Sequence, residues 1–223
     1  SSQLGGDKEL MQKLKLGTVD LAEPSTVMSS EADIFGVFEM PYLVKSREHM
    51  KKIEKELFWS KMEPEAEKKG IKLLAVWENG YRHITNNKHP INSAKDMQSL
   101  KMRVPNSKAY IAMMQATGAS TVAVDLSELY LALRQGVADG QDTPPSVVKS
   151  NKYYEVQKYV SKPDHILTTA YTVANPKFVD GLSADEKKAF HASCGESDDW
   201  LRQYTQKDEA EAYDFLKSQG MQV

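Results

Sequence analysis

An α/β architecture built on parallel strands is what this sequence predicts, and three features predict it. From Lys101 onward, short apolar strands and amphipathic helices alternate with little slack. Proline or an acidic capping residue stands where each strand gives way to a helix. A single helical pattern near the carboxyl end runs on for more than thirty residues, long enough to cross more than one structural unit. Strand–helix–strand units of this kind form a parallel sheet with right-handed crossovers.

The elements follow in order. Residues 7–16 predict a short helix with Leu10, Met11 and Leu14 on one face and Gly17 as its C-cap. Residues 18–22 predict a strand, broken by Glu23-Pro24-Ser25-Thr26. Residues 34–43 are apolar and aromatic but carry Pro41, which predicts a buried, irregular segment. Residues 48–69 predict an amphipathic helix closed by Gly70, with Ile53, Leu57, Phe58 and Met62 on its inner face. The continuous apolar run 71–77 reads as a strand of the buried parallel type. Glu78-Asn79-Gly80 reads as a turn, and residues 81–85 as a second strand.

Leu100, Met102 and Val104 then alternate with Lys101 and Arg103, the pattern of a half-buried strand that Pro105 ends. Asn106 and Ser107 are both suitable N-caps for the helix that follows, which stops at Gly118. Residues 120–124 are β-branched and strand-like. Asp125-Leu126-Ser127-Glu128 has the pattern of a capping box, opening a helix that reaches Arg134 and closes at Gly136. The strand at 137–142 is halted at Thr143-Pro144-Pro145, so the strand ends at Arg103 and at 141–143 face one rim. In open α/β sheets that rim is where ligands bind. Residues 153–158 read as helical and 159–174 as extended with a break at Pro163. Ser183-Ala184-Asp185-Glu186 is a second capping box, and the long helix it opens has no strong stop before Gly220. Residues 221–223 begin a further strand.

Composition narrows the function. Lys and Arg number 29 against 31 Asp and Glu, so no polyanion-binding surface is advertised, and no basic cluster interleaved with aromatics points to nucleic acid. No apolar run is long enough to span a bilayer, and no signal peptide opens the chain, which starts on Ser1-Ser2-Gln3-Leu4-Gly5-Gly6 as if partway through a domain. Cys194 stands alone, which excludes a disulfide framework and a clustered cysteine metal site. The five histidines show no metal-ligand spacing. There is no dinucleotide fingerprint, phosphate loop, nucleophile elbow or H-E-x-x-H. Asp164-His165 imitates a base and its orienting acid, but the sequence sets no nucleophile beside it.

What remains is two arginines at strand–loop transitions, Arg82 and Arg103, with small polar groups at strand ends, Ser25 and Thr143. A guanidinium presents a planar fork of donors that matches a carboxylate in two parallel bonds. On their own stretches, Arg103 reads equally as a solvated strand arginine and Arg82 as the partner of a surface carboxylate such as Glu78. Fixed cations with neutral donors, and neither base nor metal, describe a receptor for an anionic small molecule more than a catalyst.

Several ordered stretches resemble one family, the substrate-binding proteins of tripartite ATP-independent periplasmic (TRAP) transporters. They are Gln3-Leu4-Gly5-Gly6-Asp7, Leu16-Gly17-Thr18-Val19-Asp20, Met40-Pro41-Tyr42-Leu43, Asn79-Gly80-Tyr81-Arg82, and Leu100 through Asn106. Ser127-Glu128-Leu129-Tyr130, Asp139-Gly140-Gln141-Asp142 and Tyr154 through Lys158 continue the series. The resemblance implies a two-lobed, periplasmic-binding-protein-like fold with crossover strands between the lobes and a long bracing helix. It assigns residues 1–79 plus 169–208 to one lobe and 80–168 plus 209–223 to the other. Arg103 matches the arginine that pairs with the ligand carboxylate, and Arg82 the one that adds a second cationic contact. Thr143 falls where many relatives place an asparagine, and Leu126 where an aromatic often lines the pocket. Ser25, Asp7 and Tyr81 match positions near the pocket. Asp142 and His165 match groups that tie the ligand site to the closed arrangement.

Relatives also carry an opening β-α-β unit and a closing helical segment that have no counterpart here, so the resemblance implies a shortened chain whose signal peptide and first-strand ligand contacts lie in the part not given. The expectation is therefore a periplasmic, non-catalytic receptor with no cofactor and no metal. It hands an organic acid to TRAP membrane subunits and has no nucleic-acid partner. The run Trp77 through Arg82 is similar to members that bind sugar acids, which favours a sugar acid such as a uronate over a C4-dicarboxylate. An enzyme acting on a small carboxylic acid is the alternative.

Overall fold

Eight strands pair into two separate sheets in the computed structural model, which describes residues 3–223. Ser1 and Ser2, the first residues of the opening stretch and of the first predicted lobe, lie outside the described residues. In chain order the strands are β1 (Leu21–Ala22), β2 (Lys72–Tyr81), β3 (His83–Asn86), β4 (Lys101–Val104), β5 (Ser120–Ala123), β6 (Gly140–Thr143), β7 (Tyr159–Ser161) and β8 (Leu167–Ala174). One sheet has the order β1-β8-β2 and is antiparallel throughout. The other has the order β5-β4-β6-β3-β7, parallel across β5-β4-β6 and antiparallel across β6-β3-β7.

The parallel reading holds for β4, β5 and β6 and is corrected for 71–77. That run is buried along most of its length, as a parallel strand would be, yet β2 pairs antiparallel with β8. Burial on both faces demands apolar residues whichever way the neighbour runs, so composition alone could not decide direction. The turn expected at 78–80 is also corrected. β2 passes straight through it, and a β-bulge between Glu78 and Gly80 absorbs the irregularity. Gly80 has φ +107°, a backbone that side-chain-bearing residues rarely adopt.

Only Arg82 separates β2 from β3, and only residues 162–166 separate β7 from β8. The chain thus passes from the first sheet to the second at Arg82 and returns at 162–166, two crossing strands. Each sheet has its own core. Met11, Leu14, Phe35, Phe38, Phe58, Met62, Val76 and Tyr171 pack about the first, with Phe38 stacked on Phe58 at 4.9 Å. Met97, Met102, Val104, Tyr110 and Met114 fill one side of the second. Leu129, Leu133, Val148, Tyr153 and Leu216 fill the other.

The helical run after Ser46 is continuous, but its middle, Glu54–Met62, is a π-helix between the α-helical pieces Arg47–Ile53 and Glu63–Glu67. Met50, Phe58, Met62 and Ala66 are buried, whereas Leu57, expected inside, is 44% exposed. The i→i+5 turn rotates successive residues less steeply than an α-helix does, and so carries Leu57 outward.

The long helix is Ala184–Ser218, 35 residues, opened by the predicted Ser183–Glu186 capping box. Cys194 lines a common cleft with Leu73 and Val76 of β2 toward one end, while Tyr213 and Leu216 enter the second sheet's core at the other. It therefore braces both units. Residues 18–22 keep only two residues of strand, residues 153–158 only the 3-10 turn Tyr153–Glu155, and Gln222 bridges to Tyr159. No helix among the described residues is long and apolar enough to cross a membrane.

Candidate functional site

β4 and β6 are parallel neighbours with Arg103 opposite Gln141, so the loops after them open on one rim, as the strand ends predict. At that rim lies a cavity of about 300 Å³ between the two units. Asp7, Ser25 and Asn79 line it from the first sheet's side, and Arg103, Asn106, Asp125, Leu126 and Thr143 from the second's, with Arg82 at the crossing.

Arg103 is 4% exposed. Its Nε donates to the carbonyl of Val124 at 2.8 Å, which fixes the plane of the guanidinium. Among the described residues no carboxylate lies within ion-pair distance of it. Burial, and after it the charge of Arg82, pulls its pKa down to about 10. A buried cation held this way gains most from an anion delivered from outside.

Arg82 is placed differently. Its Nε donates to the carboxylate of Asp142 and its Nη2 to the Asp142 carbonyl, and it lies 4.6 Å over the Tyr110 ring. His165 Nε2 meets the second Asp142 oxygen at 2.5 Å. Although Asp142 is fully buried, Arg82 first and His165 second hold its carboxyl well below the ordinary range. Arg82 thus reaches the cavity with its charge already balanced by Asp142, which His165 contacts in turn.

The remaining candidates fall as follows. Thr143 is buried and lines the cavity, in register with His83. Ser25 lines it too, its hydroxyl donating to the Thr169 carbonyl at 2.7 Å. Leu126 supplies an aliphatic wall. Asp7 stands at the first turn of its helix, with burial first and the nearby Asp125 second raising its pKa while Arg103 opposes them. Tyr81 does not line the cavity. Successive strand residues point to opposite faces, so with Arg82 turned inward Tyr81 turns away. It lies under Arg47 at 5.0 Å, beside a separate cavity bounded by Lys162, Glu209 and Tyr213.

Sequence reasoning did not single out Asn79, Asn106, Asp125 or the exposed Lys8. Asn79 was hidden by the apparent turn, since only the bulge aims it at the cavity. Asp125 read as a helix cap, and it is one, accepting from Ser127 N at 2.9 Å. It also crosses the cleft, because a Cβ placed on Gly6 would come within 2.6 Å of its carboxylate. No cluster of three or more His, Cys, Asp or Glu among the described residues could hold a metal.

Two lobes joined by crossing strands, braced by one helix and enclosing a polar cleft, define the class of bilobal solute-binding proteins. Residues 1–223 match the family described as bacterial extracellular solute-binding protein, family 7, and the chain belongs to that family. It is 30% identical, over 223 residues, to the 2,3-diketo-L-gulonate-binding periplasmic protein of Escherichia coli (strain K12), covering all of this chain and 68% of that protein. It is 33% identical over 222 residues to the C4-dicarboxylate-binding periplasmic protein of Rhodobacter capsulatus, covering 99% of this chain and 66% of that one. The TRAP periplasmic solute binding protein from Polaromonas sp. JS666, solved bound to D-erythronate, superposes with a TM-score of 0.96 at 33% identity, covering this chain fully and 74% of that chain. The chain thus spans about two thirds of the length of the curated relatives it matches.

Proposed function

We propose that this chain is the solute receptor of a TRAP transporter, working in the periplasm, and that it captures a hydroxylated monocarboxylate, a sugar acid such as a uronate or aldonate. Arg103 carries the reading, a buried guanidinium without a carboxylate partner among the described residues, facing a cavity of about 300 Å³. That size lies at the small end of ligand sites. Relatives named for 2,3-diketo-L-gulonate and D-erythronate support the class of acid.

The lining distinguishes a sugar acid from a C4-dicarboxylate. Two arginines border the cavity, but Asp142 already answers one of them. Asp7 and Asp125 border the cavity as well. A second carboxylate there would meet like charge, whereas hydroxyls would donate to those oxygens. Arg103 then holds the acid group, Thr143, Asn79 and Asn106 serve the hydroxyls, and Arg82 adds donors without adding net charge. The two sheets are the two lobes, closing by rotation at Arg82 and 162–166, because an anion touching both walls binds the closed arrangement better.

The test is a thermal-shift panel of uronates, aldonates, C4-dicarboxylates and 2-oxo acids, followed by calorimetry on Arg103→Ala. Sugar acids should raise the melting temperature most. Arg103→Ala should weaken binding by roughly 2–5 kcal/mol. Wild-type affinity in the variant removes Arg103 from the site, and a larger shift with succinate than with any sugar acid reverses the choice of ligand. Consumption of the bound acid by the protein alone would instead mark an enzyme.

A further inference from the structure

The cleft's two walls also touch directly, one layer behind Arg82. Glu39 ends the 3-10 helix Asp33–Glu39 that packs on the first sheet. Ser107 caps the helix Lys108–Ala116 on the second sheet, accepting from Tyr110 N at 3.4 Å. Across the seam, the Ser107 hydroxyl donates to Glu39 Oε2. Glu39 is 5% and Ser107 3% exposed. Beside them Ser30 Oγ donates to the Asn106 carbonyl at 2.7 Å, and Asn106 lines the ligand cavity. The Tyr110 ring, one turn into the capped helix, lies under the Arg82 guanidinium.

A carboxylate buried without a cation in contact is costly, and burial raises the pKa of Glu39. Four features offset that cost: the Ser107 hydroxyl, the Ser29 side chain, the N-terminus of a nine-residue helix, and the nearby charge of Arg82. Ser29 stays with Glu39 on the first lobe, but the Ser107 hydroxyl and the helix end belong to the second and Arg82 sits at the crossing, so parting the lobes removes the hydroxyl and the helix end together. We propose that Glu39 and Ser107 form a charge-assisted clasp between the lobes, a positioning pair that prolongs ligand residence by holding the closed arrangement without touching the ligand. The clasp rests on the reading of the chain as a closing receptor.

Two substitutions separate a clasp from a mere helix cap. Asn and Asp are equally good N-caps, so Ser107→Asn and Ser107→Asp both preserve the helix start. They differ in charge opposite Glu39. At pH 8, stopped-flow release of D-erythronate should stay within about threefold of wild type in Ser107→Asn and quicken roughly tenfold or more in Ser107→Asp. Adding Glu39→Gln to Ser107→Asp should restore slow release, because the like charge is gone. Equal release rates in Ser107→Asn and Ser107→Asp, or no rescue by Glu39→Gln, overturns the clasp. If the wild type binds neither D-erythronate nor any other sugar acid of the panel, the ligand reading is what has failed. The clasp is then decided by small-angle X-ray scattering of the ligand-free variants, where a more open Ser107→Asp supports it and identical profiles overturn it.

Discussion

Asp7 illustrates how one residue can trade stability for recognition. Its carboxylate is partly buried and set near Asp125 across the cleft, and both effects raise its pKa. A carboxyl whose folded pKa is raised destabilises the folded state at neutral pH, and that cost fades as the pH falls through the raised value. Asp7→Asn should therefore be more stable than wild type at pH 7 without ligand, by about 1 kcal/mol or less, with the gap closing toward pH 4. Thermal melts at several pH values read this directly, and a gap that widens toward acid contradicts it. The same substitution removes a carboxylate from the wall facing Arg103, so it should improve binding of dicarboxylates relative to sugar acids. Arg103 has the opposite sign. Burial and Arg82 lower its pKa to about 10, so it stays cationic through neutral pH. Anion affinity should hold level from pH 6 to 9 and fall as the pH passes 10. Calorimetry across that range checks it, and a steep loss below pH 8 would point to another group.

At the scale of the element, the helical run after Ser46 offers a test of register. A continuous α-helix would turn Ile53 and Leu57 inward together, as the sequence periodicity suggests. The π-helix Glu54–Met62 buries Phe58 against Phe38 and exposes Leu57 instead. Phe58→Ala should cost about 3–5 kcal/mol and Leu57→Ala within about 0.5 kcal/mol of nothing, measured by urea unfolding. Comparable losses at both positions would restore the α-helical register. This element also marks where sequence reading runs out. Local chemistry was legible: Gly17 caps its helix with φ +76°, Ser107 and Ser183 cap theirs, and proline follows β4 and β6. The rim holding Arg103 and Thr143 followed from those signals, since each depends on neighbours in the chain. Strand direction in β2, the bulge that aims Asn79, and the outward turn of Leu57 depend on partners far along the chain, which periodicity does not record. Tyr81 was placed at the pocket by family likeness, and strand alternation next to an inward Arg82 turns it away.

For the whole molecule, the question is what keeps two separately cored lobes in one working arrangement. Part of the answer is a charge network on the long helix. Arg47, ahead of the π-helix, binds Glu78 of β2 at 2.7 Å and Glu209 of the long helix at 2.6 Å. Arg202 of the same helix binds Glu54 and Asp198. Glu209 continues to His83 at 3.4 Å, the first residue of β3, so the network spans the crossing from one sheet to the other. Glu78 is its least hydrated carboxylate, and burial raises its pKa while Arg47 opposes the rise. Arg47→Met keeps an apolar stem over Tyr81 but takes away the cation in contact with the Glu78 carboxylate, leaving only the more distant Arg202. Stability at pH 7 should drop by roughly 3–5 kcal/mol. The sign with pH then discriminates. With the cation gone, the folded pKa of Glu78 moves further above its unfolded value, so the folded state binds a proton more readily than the unfolded one. The variant should recover stability as the pH falls from 7 toward 5, over a range where the wild type changes less. Chemical denaturation of both proteins at pH 7 and pH 5 measures the difference. A deficit that stays constant with pH would show that Arg47 acts through packing on Tyr81 rather than by answering a buried charge at the junction of the lobes.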